Sequence, residues 1–309
     1  TVVIPWFRHC QMERTCRWTL REGKWTNRAA NGPFLDVPTA QISAAILSCR
    51  PAAAPRGRPM PPQHLLFIDL HEYDVIDTVL SESGCWSNPP RPYDLIDGSG
   101  TYFVSAFHHF LKHTFLPANS QDAMRGFVVF PDFGAHRRFC AMVRHACHLP
   151  LDHILWIDKA RDGTEIEQTD AFHYVDECGA HTMRLEPFPG RAHILIADDF
   201  TNSGGTLFGG AAIIRKHCAG ASVRVSAYVT HFVCKYSLET VRSFLAKLHS
   251  PHPVLDSFFC TDSVAASASW LETEEAALVA DGQPLKVNVM PIAPVIAAWI
   301  RENPPPALR

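Results

Sequence analysis

Residues 193–207 read HILIADDFTNSGGTL. Residues 194–197 are apolar, two carboxylates follow at Asp198 and Asp199, and a loop of small residues leads into a second apolar stretch. A short apolar run bounded by turn residues reads as a buried strand. Gly204 and Gly205 permit a left-handed backbone and a close approach of the chain to a ligand. Residues 207–217 then take up helical spacing. The unit is strand, loop, helix, with both acids at the carboxyl end of the strand, where open α/β sheets bind ligands.

The same alternation extends in both directions. Apolar runs at residues 65–69, 127–130, 154–157, 223–230, 257–261 and 286–290 read as further buried strands. Helical spacing occupies 101–113, 139–147 and 238–248. Strands alternating with helices predict an α/β fold, a parallel sheet covered on both faces. Residues 49–62 (CRPAAAPRGRPMPP) and 81–93 (SESGCWSNPPRPY) are proline-rich and read as loops or insertions. A domain boundary is expected just beyond them, near 97–100, and the tail 303–309, with three consecutive prolines, is expected to fray.

The loop carries chemistry as well as a turn. Backbone N–H groups of Ser203, Gly204, Gly205 and Thr206 open a helix, where exposed donors and the helix dipole favour an anion. Thr201, Ser203 and Thr206 add hydroxyls. Paired carboxylates at Asp198 and Asp199 suit the vicinal hydroxyls of a sugar, or Mg²⁺ through its waters. Together these residues read as a sugar-phosphate site.

Bulk composition narrows the class. The chain has 309 residues, which suggests two domains, and its 47% hydrophobic content is enough for packed cores. A net charge of −3 gives no electrostatic reason to expect nucleic acid. No apolar run is long enough for a transmembrane helix, and the opening TVVIPWFRHC lacks the basic-then-apolar pattern of a secretory signal. The ten cysteines are scattered, without a CxxC or zinc-finger spacing. They read as free thiols in a reducing cytosol, so a cytoplasmic location is expected.

The motif at 193–207 resembles the phosphoribosyl-binding loop of class I phosphoribosyltransferases and their synthetase relatives. Other segments, in matching order, resemble the synthetase branch, the ribose-phosphate pyrophosphokinases: residues 1–7 (TVVIPWF), 68–71 (IDLH), 130–138 (FPDFGAHRR), 157–161 (IDKAR), and more weakly 227–235 (AYVTHFVCK) and 289–300. The resemblance implies two phosphoribosyltransferase-like domains with parallel sheets flanked by helices, the N-terminal one truncated. Their expected spans are 1–98 and 99–290, with 291–309 as a closing helix and tail packing back on the first.

The implied reaction moves diphosphate from Mg–ATP to ribose 5-phosphate, giving phosphoribosyl diphosphate and AMP for nucleotide biosynthesis. Ribose 5-phosphate would be held by Asp198, Asp199, Thr201, Asn202, Ser203, Gly204, Gly205 and Thr206. Asp132, Phe133, Gly134 and Ala135, on a loop, would meet the diphosphate and ATP, with His71 and Asp132 as metal contacts. Lys159, Arg161 and His71 would be the catalytic set, and residues 162–170 (DGTEIEQTD) a mobile lid. The partners implied are ATP, ribose 5-phosphate, and further copies of the chain or family siblings in an oligomer; nucleic acid and membrane are not.

Three departures from the family pattern stand out. Asn202 replaces a third acid in the loop, Gln11 and Met12 stand where an Arg-Gln pair is usual, and Ala160 replaces the first arginine of the catalytic segment. Each lost arginine removes charge-assisted bonds to ATP phosphates. Three functions therefore remain open on the sequence: an active synthetase, a catalytically impaired subunit that binds ribose 5-phosphate or its product, and a phosphoribosyltransferase acting on a nucleobase.

Overall fold

The structure is a computed structural model, and it describes residues 2–4, 18–21, 24–27, 65–69, 101–122, 124–162, 165–218, 222–279 and 284–302. His71, Gln11 and Met12 lie outside the described residues, as do 49–62, 81–93, the boundary expected at 97–100 and the tail 303–309. Contacts divide the chain into two units, Thr1–Val104 with Ile296–Arg309, and Ser105–Val295.

In the first unit, β1 (Val2–Ile4), β4 (Leu65–Ile68) and β5 (Thr101–Val104) form a parallel three-stranded sheet in the order β1-β4-β5. Strands β2 (Trp18–Arg21) and β3 (Lys24–Asn27) pair as an antiparallel ribbon. Helical spacing from residue 101 was thus misleading at its start. Residues 101–104 (TYFV) are a β-branched and aromatic run that satisfies its backbone as a strand, and the helix begins only after Ser105, whose hydroxyl accepts from the His108 N–H at 3.0 Å.

The second unit opens with α1 (Ala106–Phe110), a π-helical turn at Leu111–Phe115, and α2 (Leu116–Asp122). It continues through β6 (Arg125–Phe130), α3 (Phe133–Cys147), β7 (Ile154–Asp162), β8 (Glu165–Val175), β9 (His181–Arg184) and β10 (Arg191–Thr201). Then follow α4 (Gly205–Lys216), β11 (Ser222–Phe232), α5 (Leu238–Leu248), β12 (Ser257–Thr261), α6 (Ala265–Leu278) and β13 (Val287–Met290). The last helix, α7 (Ala293–Glu302), begins in this unit and from Ile296 onward is counted with the first. The eight strands make one sheet in the order β13-β12-β11-β10-β6-β7-β8-β9.

From β13 to β7 the neighbours are parallel, whereas β8 and β9 extend the sheet as an antiparallel ribbon. The sheet is therefore mixed rather than wholly parallel. Strand alternation sends side chains to two cores. Ile194 and Ile196 of β10 join Leu207, Ile214, Phe244 and Leu271 on one face, while Leu195 and Ala197 join Phe107, Phe139, Met142 and Tyr228 on the other. Central strands buried on both faces are what near-continuous apolar runs require.

Candidate functional site at the carboxyl edge of the sheet

Strand β10 outruns one neighbour. Its pairing with β6 stops at Ile196↔Val129, while its pairing with β11 continues to Thr201↔Phe232. Beyond Ile196 the ladder between β10 and β6 stops, at the carboxyl end of the strands, where open α/β sheets bind ligands. The chain of β6 turns away through Pro131 and Asp132 into α3, which brings Asp132 close enough to act electrostatically on Asp198.

The two acids have different surroundings. Continuing the alternation, Asp199 falls on the α3 face, where it is fully buried and its Oδ1 lies 2.8 Å from Arg138 Nη1. Asp198 is partly exposed and curls back, so that its Oδ1 accepts from the Asp199 N–H at 3.0 Å. Burial first, then the adjacent Asp199 charge and a hydrogen bond between the two carboxyls, push Asp198 well above the usual carboxylate range; Asp132 adds to the rise and Arg138 opposes it.

The glycine loop splits in two. Thr201 and Gly204 are buried and structural: Thr201 Oγ1 accepts from the Gly204 N–H at 3.0 Å. Gly204 has φ +73°, and a Cβ there would stand 2.7 Å from Phe244 and 2.9 Å from Phe208, so glycine is required on both counts. Ser203, Gly205 and Thr206 are exposed, and Asn202 is half-buried. The Gly205 N–H reaches Ser203 Oγ only at 3.4 Å, a long bond that a better acceptor can replace. This exposed half opens α4 and offers its first-turn donors outward.

Residues 130–138 are not the loop expected of them. Asp132 caps α3, with φ −161° and its Oδ1 accepting from the Ala135 N–H at 2.9 Å, and the helix starts at Phe133. Ala135 is in the core, whereas Phe133 and Gly134 are exposed; a Cβ on Gly134 would meet only Asp132 Oδ1, at 3.2 Å. Lys159 and Arg161 lie two apart on β7, opposite Gln168 and Ile166. The segment read as a lid is correspondingly a strand pair, with Asp162 opposite Glu165. His71 is outside the described residues, although Asp69, the second residue of the same motif, is buried with φ +38°.

The structure thus brings Asp132, Asp198 and Asp199 into one electrostatic group, and adds Arg138, which the sequence reading passed over. A signal for it was present. Arg138 falls in the apolar stripe of α3 with Ala135, Phe139 and Met142, and an arginine on a core-facing stripe needs a buried acid. A groove of about 980 Å³ along the outer flank of α3, lined by Phe133, His136, Arg144 and Asp176 among others, includes none of the residues at the end of β10. Among the described residues no three His, Cys, Asp or Glu side chains gather to hold a metal, and no helix is long and apolar enough to cross a membrane.

No protein-family model matches the chain. Ribose-phosphate pyrophosphokinase 4 of Arabidopsis thaliana is 32% identical over 139 residues, which cover 44% of this chain and 33% of that protein. The match therefore spans a third of the curated relative's length. Among solved structures, a phosphoribosylpyrophosphate synthetase from Mycobacterium smegmatis aligns over 97% of this chain and 69% of that chain, with a TM-score of 0.53 and 16% identity. At that identity the likeness is one of fold.

Proposed function

For this relative of the ribose-phosphate pyrophosphokinases, which carries their phosphoribosyltransferase-type fold, we propose diphosphoryl transfer from Mg–ATP to the C1 hydroxyl of ribose 5-phosphate. The observation that carries the reading is the approach of Asp198, near the carboxyl end of β10, to Asp132, at the cap of α3, with the exposed glycine turn of Ser203, Gly205 and Thr206 following in the chain. Ser203, Gly205 and Thr206 take the 5-phosphate through their amides and hydroxyls. Asp198 accepts from the ribose hydroxyls and thereby orients C1 toward the nucleotide. Asp199 supports it from within the ion pair with Arg138. Phe133 and Gly134, exposed beside Asp132, face the diphosphate side.

Lys159 and Arg161 supply positive charge over the reacting phosphates, which matters most as charge builds on the transferred group. Mg²⁺ fits this donor set in its usual manner, held by one or two carboxylates and otherwise by waters and phosphate oxygens. Asp132 and Asp198 would be those carboxylates; burial first and then neighbouring negative charge raises Asp198, and a cation would offset the charge part of that rise. When bound, the ion neutralises the polyphosphate and aligns its oxygens. The test is AMP release from Mg–ATP by the purified chain: release that requires added ribose 5-phosphate supports the reading, and release independent of it contradicts the reading.

A second reading, a catalytically impaired subunit that binds ribose 5-phosphate or its product, draws on the burial of Asp199 in its pair with Arg138, which leaves Asp198 as the more open acid of the two. Such a subunit binds the sugar phosphate without AMP release and alters the rate of a catalytic sibling.

A further inference from the structure

Arg138 is the cation that stands against the acids around Asp198. We propose that Arg138 is the positioning residue of the ribose site, holding Asp199 so that the Asp199 amide in turn fixes the Asp198 carboxylate toward substrate; the proposal rests on Asp198 being a ribose contact. The relay is short. Arg138 Nη1 stands 2.8 Å from Asp199 Oδ1, and the Asp199 N–H donates to Asp198 Oδ1 at 3.0 Å. Both ends of the ion pair are withdrawn from water, with side-chain exposures of 9% and 1%, and the guanidinium lies 5.5 Å from the Phe139 ring.

A buried pair of this kind is a weak source of stability, because desolvation offsets most of its attraction. Its location gives it another use. Asp199 and Asp132 both act on Asp198 here, and Arg138 is the cation that counters them there. The groups facing Asp198 are Asp199 on its own strand and Arg138 and Asp132 on α3. On β11, His231 pairs opposite Phe200, and its Nδ1 is 2.8 Å from Ser263 Oγ. Removing Arg138 takes away the contact that holds the Asp199 side chain at 2.8 Å, and with it the placing of the Asp199 N–H on Asp198 Oδ1. A displaced Asp198 carboxylate is a poorer acceptor for ribose hydroxyls.

The test uses the full chain and ribose 5-phosphate as the probe, titrated by calorimetry at neutral pH, with melting temperatures alongside. Arg138→Met is expected to weaken binding by on the order of tenfold. Arg138→Lys keeps the charge beside Asp199 and restores part of the affinity, though not all of it, since it lacks the planar fork. The double variant Arg138→Met with Asp199→Asn removes the orphaned buried charge; it regains melting temperature while binding stays weak. If Arg138→Met lowers only the melting temperature, and its folded fraction binds with wild-type affinity, Arg138 is structural and the proposal fails. If the wild-type chain binds no ribose 5-phosphate, the ribose reading itself fails, a distinct result.

Discussion

The two ends of β10 bury ionisable groups in opposite ways. Near its amino end, His193 is 4% exposed and both ring nitrogens have partners, Asn119 Oδ1 at 2.6 Å and Ser226 Oγ at 2.8 Å. Burial pushes it down to about 4, so it sits neutral and satisfied. Near its carboxyl end, Asp198 and Asp199 crowd together with Asp132, and Arg138 is the cation that counters them. One end is arranged for stability and the other carries unresolved repulsion. Electrostatic strain held at one spot on an otherwise settled strand supports the ribose site proposed there.

That contrast can be broken at several points. The largest expected effect is at the acidic end: Arg138→Met leaves Asp199 charged and buried without its ion-pair partner, and about 3–5 kcal/mol of unfolding free energy should be lost in urea titrations. Gly204→Ala comes next, at about 2–3 kcal/mol, because a Cβ meets Phe244 at 2.7 Å and the residue must hold φ +73°; the readout is the same urea midpoint. At the quiet end, His193→Phe strands Asn119 and should cost about 1–3 kcal/mol. It should also flatten part of the acid response. His193 binds fewer protons folded than unfolded, so its contribution is intact above pH 6.5 and is lost as pH falls toward about 4. Thermal melts of both forms across that window check the sign.

The smallest effect, and the most telling, has the opposite sign. Asp198 is raised by burial and by Asp199, so it favours the folded state when protonated and opposes it as pH climbs from the ordinary carboxylate value upward. Asp198→Asn should therefore raise the melting temperature at neutral pH, an outcome unexpected for a residue whose role is structural. A lowered melting temperature would count against the strain described here.

How much of this could be read from the chain itself follows from local physics. Strands β6, β10, β11 and β12 were legible because burial on both faces demands unbroken apolar runs, and the helix after Gly204 because the glycine turn and the 3.6 period agree. The start of α3 was not, since Asp132 followed by Phe133 and Gly134 reads as a turn until the cap bond to Ala135 is seen. Strands β8 and β9 were hidden by polar residues such as Glu165, Gln168 and Thr169, which an antiparallel ribbon at a sheet margin tolerates. At the site, the acids and glycines announced themselves by adjacency. The partner of Asp199 did not, because Arg138 is 61 positions away in sequence and is brought near by the packing of α3 on the sheet at β6 and β7, beside β10.

The central claim is that the carboxyl end of β10 grips a phosphorylated pentose through Asp198. Calorimetric titration of ribose 5-phosphate into the wild-type chain and into Asp198→Asn, both verified as folded, tests it most directly. Saturable binding to the first and its loss in the second is the predicted result. Equal affinity in the two proteins, or none in the wild type, contradicts the claim.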